Sequence, residues 1–358
     1  MTTERELLLD PARRLFGDYC TRQAIETAER GGWPEAVWTA LEDSGLTLAA
    51  TAEARGGPGC DLADAFSLLK VAGAYSLHAP LAETLLAEML LSAAGLPPVE
   101  GPATIAPMSG GTQVQLRRVN RQWRLSGVVH RVPWARHASF VVVTAMCDQK
   151  PATVVVRKPA VRHQAENLAN EPRDTVDFGD AIVDEADVAI ERGMSPGEVH
   201  ALGALARACA ISGALETILA SSVTYAQERI QFGKPIAKFQ AIQQQAAVLA
   251  GEVAAASAAV QTAVEGLAQQ ASPFAIAVAK VRASEAAGIV SAIAHEIHGA
   301  MGFTKEHALH LSTRRVWSWR EEFGDEREWA EWIGRHVATQ GGEALWRVIA
   351  PIPAQFSK

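Results

Sequence analysis

The hydrophobic pattern of this 358-residue chain changes period twice, and nothing else in the sequence constrains its fold as much. From about residue 105 to 192 the runs VQLRRV, WRLSGVVHRVPW, SFVVVTAM, ATVVVRK and DTVDFGDAIV are short and rich in β-branched residues. Gly, Pro, Asn and Asp separate them. Such runs predict the strands of a small antiparallel sheet or barrel. On both sides the pattern is helical. Residues 201–300 hold 30 alanines and two prolines, Pro235 and Pro273, each where a helix can begin. Alanine-rich helices with sparse large side chains pack closely, as in a bundle. The expected fold class is therefore α+β in the order α, β, α. An N-terminal α-helical domain spans 1–104, a middle antiparallel β domain 105–192, and a C-terminal four-helix bundle 193–358.

Within the first unit, WPEAVWTALEDSGL offers Pro34 at a first helical position, an apolar stripe of Val37, Trp38 and Leu41, and Gly45 as a stop. ARGGPGCDL (54–62) reads as a glycine-rich loop. DAFSLLKVAGAYSLHAPLAETLLAEMLLSAAGL reads as two helices broken near Ala79 and Pro80.

Charge and cysteine usage exclude several classes. The formal net charge is 33 − 40 = −7, with no long basic run, so nucleic acid is not the expected partner. Cys20, Cys60, Cys147 and Cys209 lie far apart without a CxxC, which excludes the zinc-ribbon spacing and argues against a disulfide framework. MTTERELLLDPARRLF carries Glu4, Glu6, Asp10 and Arg13 through its apolar stretch, unlike a signal peptide. No run of about 20 apolar residues is seen, so a cytoplasmic protein without a membrane span is expected.

Two segments carry candidate chemistry. YAQERIQFGKPIAKFQAIQQQAA (225–247) gathers Arg229, Phe232 and Gln240 around a turn at Gly233. A guanidinium, an aromatic ring and an amide in one small volume suit a phosphate-bearing aromatic ligand. An ordinary helix connection with a surface arginine accounts for the same residues. In HEIHGAMGFTKEHALHLSTRRVWSWR (295–320), Gly299 and Gly302 end a helix, and Thr304 is placed to cap the next. His295, His298, His307 and His310 form two HxxH pairs, but neither is HExxH, and packing accounts for them better than a metal. PMSGG (107–111) is not GxSxG, and ARGGPG is too short for a dinucleotide fingerprint. REEFGDEREW (320–329) crowds Glu321, Glu322, Asp325 and Glu326 at what reads as a solvated helix start.

RIQFGKPIAKFQAIQ resembles the RxxFGxxxxxxQ signature of the acyl-CoA dehydrogenase family, and EIHGAMGFTKEHALH resembles its QxxGGxGF segment. The two lie about 65 residues apart in the family's order. ALEDSGLTLAATAEARGGPG and WRLSGVVHRVPWARHASFVVVTA resemble its early helix–loop and middle β domain, so the resemblance covers nearly the whole chain. It implies FAD-dependent α,β-dehydrogenation of an acyl-CoA, with a glutamate as base and hydride leaving to the flavin. It also implies an FAD site shared across a subunit boundary and electron-transfer flavoprotein as acceptor. By position, Arg229, Phe232 and Gln240 would hold the diphosphate and adenosine end of the FAD of a neighbouring subunit. Glu296, Gly299, Ala300 and Gly302 would lie along the same diphosphate.

The departures from the family are concentrated at the flavin ring. TIAPMSGGTQVQLRRV lacks the usual TEPxxGSD loop. Arg131 and Pro133 of HRVPW stand where a Trp-x-Thr pair usually meets the ring, and Pro133 has no N–H to offer. The usual glutamine is Glu296. The two usual positions of the catalytic base hold Phe323 and Gly203, with Glu322 and Asp325 flanking the first as the nearest carboxylates. A lost ring end beside a kept adenosine end resembles heteromeric members of the family, notably bacterial ones for steroid and other bulky acyl side chains. There one chain holds the base and the flavin ring, and the second completes the adenosine end. A self-sufficient homomeric enzyme using Glu322, or a flavin-free scaffold of the same fold, are the alternatives; the family's shared site implies a dimer or tetramer in either enzyme.

Overall fold

The structure, a computed structural model, describes residues 2–107, 114–269 and 272–341. Helices α1 (Thr2–Tyr19), α2 (Arg22–Ala28), α3 (Glu35–Asp43), α4 (Leu62–Ala74) and α5 (Leu81–Ala94) come first. They are followed by β1 (Ala103–Ile105), β2 (Gln115–Val119), β3 (Gln122–Ser126), β4 (Val128–Pro133), β5 (Phe140–Cys147), β6 (Lys150–Arg157), β7 (Val161–His163), β8 (Arg173–Asp177), β9 (Ala181–Val183) and β10 (Val188–Ile190). Next come α6 (Pro196–Glu228), the hairpin β11 (Ile230–Gln231) and β12 (Lys234–Pro235), and then α7 (Gln240–Glu265), α8 (Pro273–His298), α9 (Leu309–Trp319) and α10 (Glu326–Gln340). This is the α+β class and the α, β, α order that the sequence predicts.

Local chemistry starts and stops the helices. Ser195 and Glu198 form a reciprocal capping box with Pro196 at the first position of α6, and Ser272 caps α8 ahead of Pro273. Gly45 follows α3 at φ 70°, as a stop requires. Pro34 precedes α3 as its N-cap rather than opening it. Pro80 sits in the break between α4 and α5 as the N-cap of α5.

The β region is less simple than the expected antiparallel sheet. One sheet runs β10-β6-β5-β2-β3-β9, and β1 also pairs with β5; a second runs β4-β8-β7. β1 and β2 both meet β5 in parallel. WRLSGVVHRVPW does not continue as one strand. It passes from the first sheet to the second at Gly127, whose φ of 140° few other residues adopt.

The expectation about apolar runs also needs correction. Pro196–Glu228 and Gln240–Ala268 reach the length and apolar content of a bilayer span, because alanine counts as apolar while covering little surface. Of the most apolar 18-residue window of α6, 83% is buried inside the protein, against 33% for that of the stretch that begins with α7. α6 is the central element. A Cβ on Gly73 of α4 would come within 2.0 Å of the Ala210 carbonyl oxygen, and one on Gly213 within 1.8 Å of the Lys70 carbonyl oxygen. The backbones of α4 and α6 therefore touch, and no side chain separates them there.

Candidate functional site

The first candidate lies at the end of α6. The Arg229 N–H donates to the Tyr225 carbonyl at 2.9 Å, and its own carbonyl accepts from the Ile236 N–H at 2.8 Å, which folds the hairpin back on the helix. Phe232 and Gly233 turn the hairpin at φ 51° and 76°, the positive pair that a tight two-residue loop needs. Phe232 is 92% exposed and edge-on to Phe239 at 6.2 Å. Among the described residues the exposed Arg229 guanidinium has no hydrogen-bond or ionic partner. Gln240 opens α7 two residues after the 3₁₀ turn Ile236–Lys238 and is exposed.

The second candidate segment reaches the same end of the bundle. Tyr225 stacks on His298 of α8 at 4.5 Å, and Gln245 of α7 donates to the Glu296 carboxylate at 2.5 Å. Arg229, Phe232, Gln240, Glu296, Gly299 and Ala300 thus face solvent around the junction of three helices. Gly302 is different. It is buried, and a Cβ there would lie 2.9 Å from His298 Cβ, so its small size serves the packing of the 3₁₀ turn Gly299–Phe303. Thr304 does not cap the following helix as expected. Its hydroxyl donates to the Met301 carbonyl at 2.9 Å, closing the 3₁₀ turn, and α9 begins only at Leu309. The histidines stack and bond locally: His295 on Phe303, His298 against His307 and Tyr225, and His310 against the His307 carbonyl.

The two base positions, far apart in sequence, meet. Phe323 adopts φ 54° and is buried, and a Cβ on Gly203 would fall 2.2 Å from its ring. The phenyl ring therefore occupies the volume over Gly203 that a carboxylate side chain would need. Trp329 holds the segment by donating its indole N–H to the Phe323 carbonyl at 2.8 Å, and His200 stacks on Trp329. Lys280, fully buried, donates to the carbonyls of Trp319 and Arg320, both at 2.9 Å; burial brings its ammonium down to about 7. In front of Phe323 lies an open cavity of about 410 Å³ that also touches Pro107, His130, Arg131 and Pro133. A register shift of β4 against β8 between Val129 and Val132 bulges His130 and Arg131 out of the ladder. Residues 108–113 of the segment aligned with the TEPxxGSD loop lie outside the described residues.

Glu322 and Asp325 have structural partners. Asp325 caps α10, accepting from the N–H groups of Arg327 at 3.0 Å and Glu328 at 2.9 Å. Glu322 accepts from Arg173 at 2.7 and 3.1 Å, Arg207 at 2.6 Å and Asn167 at 3.2 Å. Burial alone would raise this carboxyl, but Arg173 and Arg207 outweigh it and hold it at about 2. Arg207 also binds Glu83 of α5, and Arg173 binds Glu171. Arg315, bonded to Glu29 and to His78, extends the cluster into the N-terminal helices. Neither Glu83 nor Arg207 stood out in the sequence reading. The available signal was a charge inside an apolar helix face, LAETLLAEMLL and ALARACAIS, where it cannot stay unpaired.

Stability is expected to fall as pH drops from about 4.5 toward 2. The folded Glu322 carboxyl lies below its ordinary value, so its contribution is complete above about 4.5 and is lost on approaching 2. Urea midpoints across that window measure it. Glu322→Gln, which does not titrate, should have the shallower slope; equal slopes would remove Glu322 as the cause.

Comparison with known proteins agrees with this fold. The sequence profile of the family described as "Acyl-CoA dehydrogenase, C-terminal domain" matches residues 199–336. The chain is 28% identical to acyl-CoA dehydrogenase IpdE2 of Mycobacterium tuberculosis, over 87% of this chain and 91% of that one. It is also 28% identical to IpdE2 of Mycolicibacterium smegmatis, over 92% and 97%. Among solved structures, a chain of the ChsE4-ChsE5 complex from Mycobacterium tuberculosis superposes with a TM-score of 0.84 over 94% of this chain and 98% of that one, at 22% identity.

Proposed function

We propose that this chain is a member of the acyl-CoA dehydrogenase family, to which its sequence and fold are similar, and that it completes the adenosine and diphosphate end of an FAD whose ring rests on an unlike partner subunit. When bound, FAD supplies the hydride acceptor for oxidation of the acyl thioester. Donor chemistry decides which part of it this chain suits. At the bundle end, an unpaired guanidinium, an exposed ring and an amide are what a diphosphate and an adenine need. At the ring end, Pro133 offers no N–H and Phe323 offers no base, so no proton or hydride step is assigned to this chain. The observation that carries the reading is this opposition between an Arg229 with no partner among the described residues and a Phe323 packed on Gly203. On this reading the acyl-CoA is oxidised by the assembled pair, electron-transfer flavoprotein accepts the electrons, and the assembly works in the cytoplasm. Glu322 as a displaced base is less well supported, since it would first have to leave Arg173 and Arg207.

Arg229→Ala is expected to weaken FAD binding by the assembled complex about ten- to a hundred-fold, the equivalent of roughly 1.5–3 kcal/mol for charge-assisted bonds. Lysine should recover only part, because it keeps the charge and loses the fork. The melting temperature of the flavin-free chain should stay unchanged. Flavin fluorescence titration of parent and variant complexes decides it, and equal affinities would sink the assignment of the cofactor end.

A further inference from the structure

We propose that the buried ion pair of Arg207 and Glu83 bars acyl groups from the interior of this chain, so that the assembled enzyme holds its acyl tail in the partner's cleft. The inference takes the position of the reacting carbon from the reading above, but its evidence is separate. A tail whose α-carbon reached Phe323 and Gly203 and turned into the core would meet the next turn of α6 on the same face, which carries Arg207. The Arg207 guanidinium lies 5.6 Å from the centre of the Phe323 ring. It binds Glu83 on α5 to one side and Glu322 to the other, closing the space between the helices. Behind the pair, against Leu69, Leu77, Ala79 and Ala210, only about 30 Å³ remains. That is room for about one water molecule.

Two features keep this plug in place. Arg207 cannot swing aside without stranding Glu83, a carboxylate 2% exposed, with Arg207 its ionic partner among the described residues. An unpaired charge at that depth is costly, so an apolar tail has to displace both groups or neither. The walls cannot part easily either, because the backbones of α4 and α6 already touch at Gly73 and Gly213. Among the described residues a larger, mostly apolar room lies beside His200, in a cavity of about 930 Å³ lined by Met89, Leu267, Ile276, Trp329 and Trp332. A ligand there does not pass Phe323.

Photo-crosslinking with decanoyl-CoA carrying a terminal diazirine tests this on the isolated flavin-free chain and on the assembled complex. No label is expected on residues 69–83 or 203–210 of this chain. The double variant Glu83→Ala/Arg207→Ala removes both charges and leaves Glu322 paired with Arg173. Labelling of those segments should then rise about tenfold or more, since two newly buried methylenes are worth that factor. Label on Leu69, Leu77 or Ala210 of the wild type overturns the proposal. So does a double variant that keeps the parental circular dichroism yet stays unlabelled, for then something other than this pair closes the cleft. In the assembled complex, label on the partner subunit supports it, and label confined to this chain's Trp329 and Trp332 cavity overturns the placement of the tail in the partner. If Arg229 has no effect on FAD binding while the crosslinking behaves as stated, the cofactor assignment fails and the sealed cleft stands.

Discussion

Replacing Arg207 with alanine is expected to lower the unfolding free energy by about 3–5 kcal/mol, read as a lower denaturant midpoint at unchanged slope. The loss comes from what stays behind rather than from the bond itself. Glu83 is left as a buried carboxylate with no cation, whereas Glu322 keeps Arg173. Adding Glu83→Ala should restore much of the loss, because the two charges are then removed together. Lysine at 207 is not equivalent, since one ammonium does not reproduce the two-sided guanidinium contact with Glu83 and Glu322. A single variant within about 1 kcal/mol of the parent, the range of an exposed ion pair, would remove the energetic basis of the plug.

The isolated chain is expected to dehydrogenate acyl-CoA about 10²–10⁴-fold more slowly than a typical turnover of about 10 per second, the contribution of a positioned general base. Phe323 and Gly203 leave both base positions without a carboxylate, and the ring fills the space between them. The carboxylate adjacent in sequence, Glu322, is held at about 2 by two arginines and makes a weak proton acceptor. Steady-state assays with an artificial electron acceptor and a series of acyl-CoAs measure this. Ordinary turnover that disappears in Glu322→Gln would identify a self-sufficient enzyme instead.

The sequence was most legible where chemistry is local. The change of period at the edges of the β region, Pro273 at a helix start, and the RxxFG turn are all set by short-range geometry. They appear in the structure where the sequence puts them. Gly127 was less legible, because a strand's continuation says nothing about which sheet it joins. Thr304 misled for a similar reason: its hydroxyl had a nearer acceptor, the Met301 carbonyl, than the helix it was expected to cap.

By itself the sequence determined the order of elements, the two motifs that resemble family segments and the absence of a carboxylate at two aligned positions. Those depend on side-chain identity and on spacing along the chain. Only the tertiary structure decided that the two positions are one place, that Phe323 fills it, and that Glu322 is bound to Arg173 and Arg207. Contacts between residues 120 or more positions apart, such as Gly203 with Phe323 and Glu83 with Arg207, leave no periodic trace in a sequence. Close packing joins them, and the cost of burying an unpaired charge makes the joining specific.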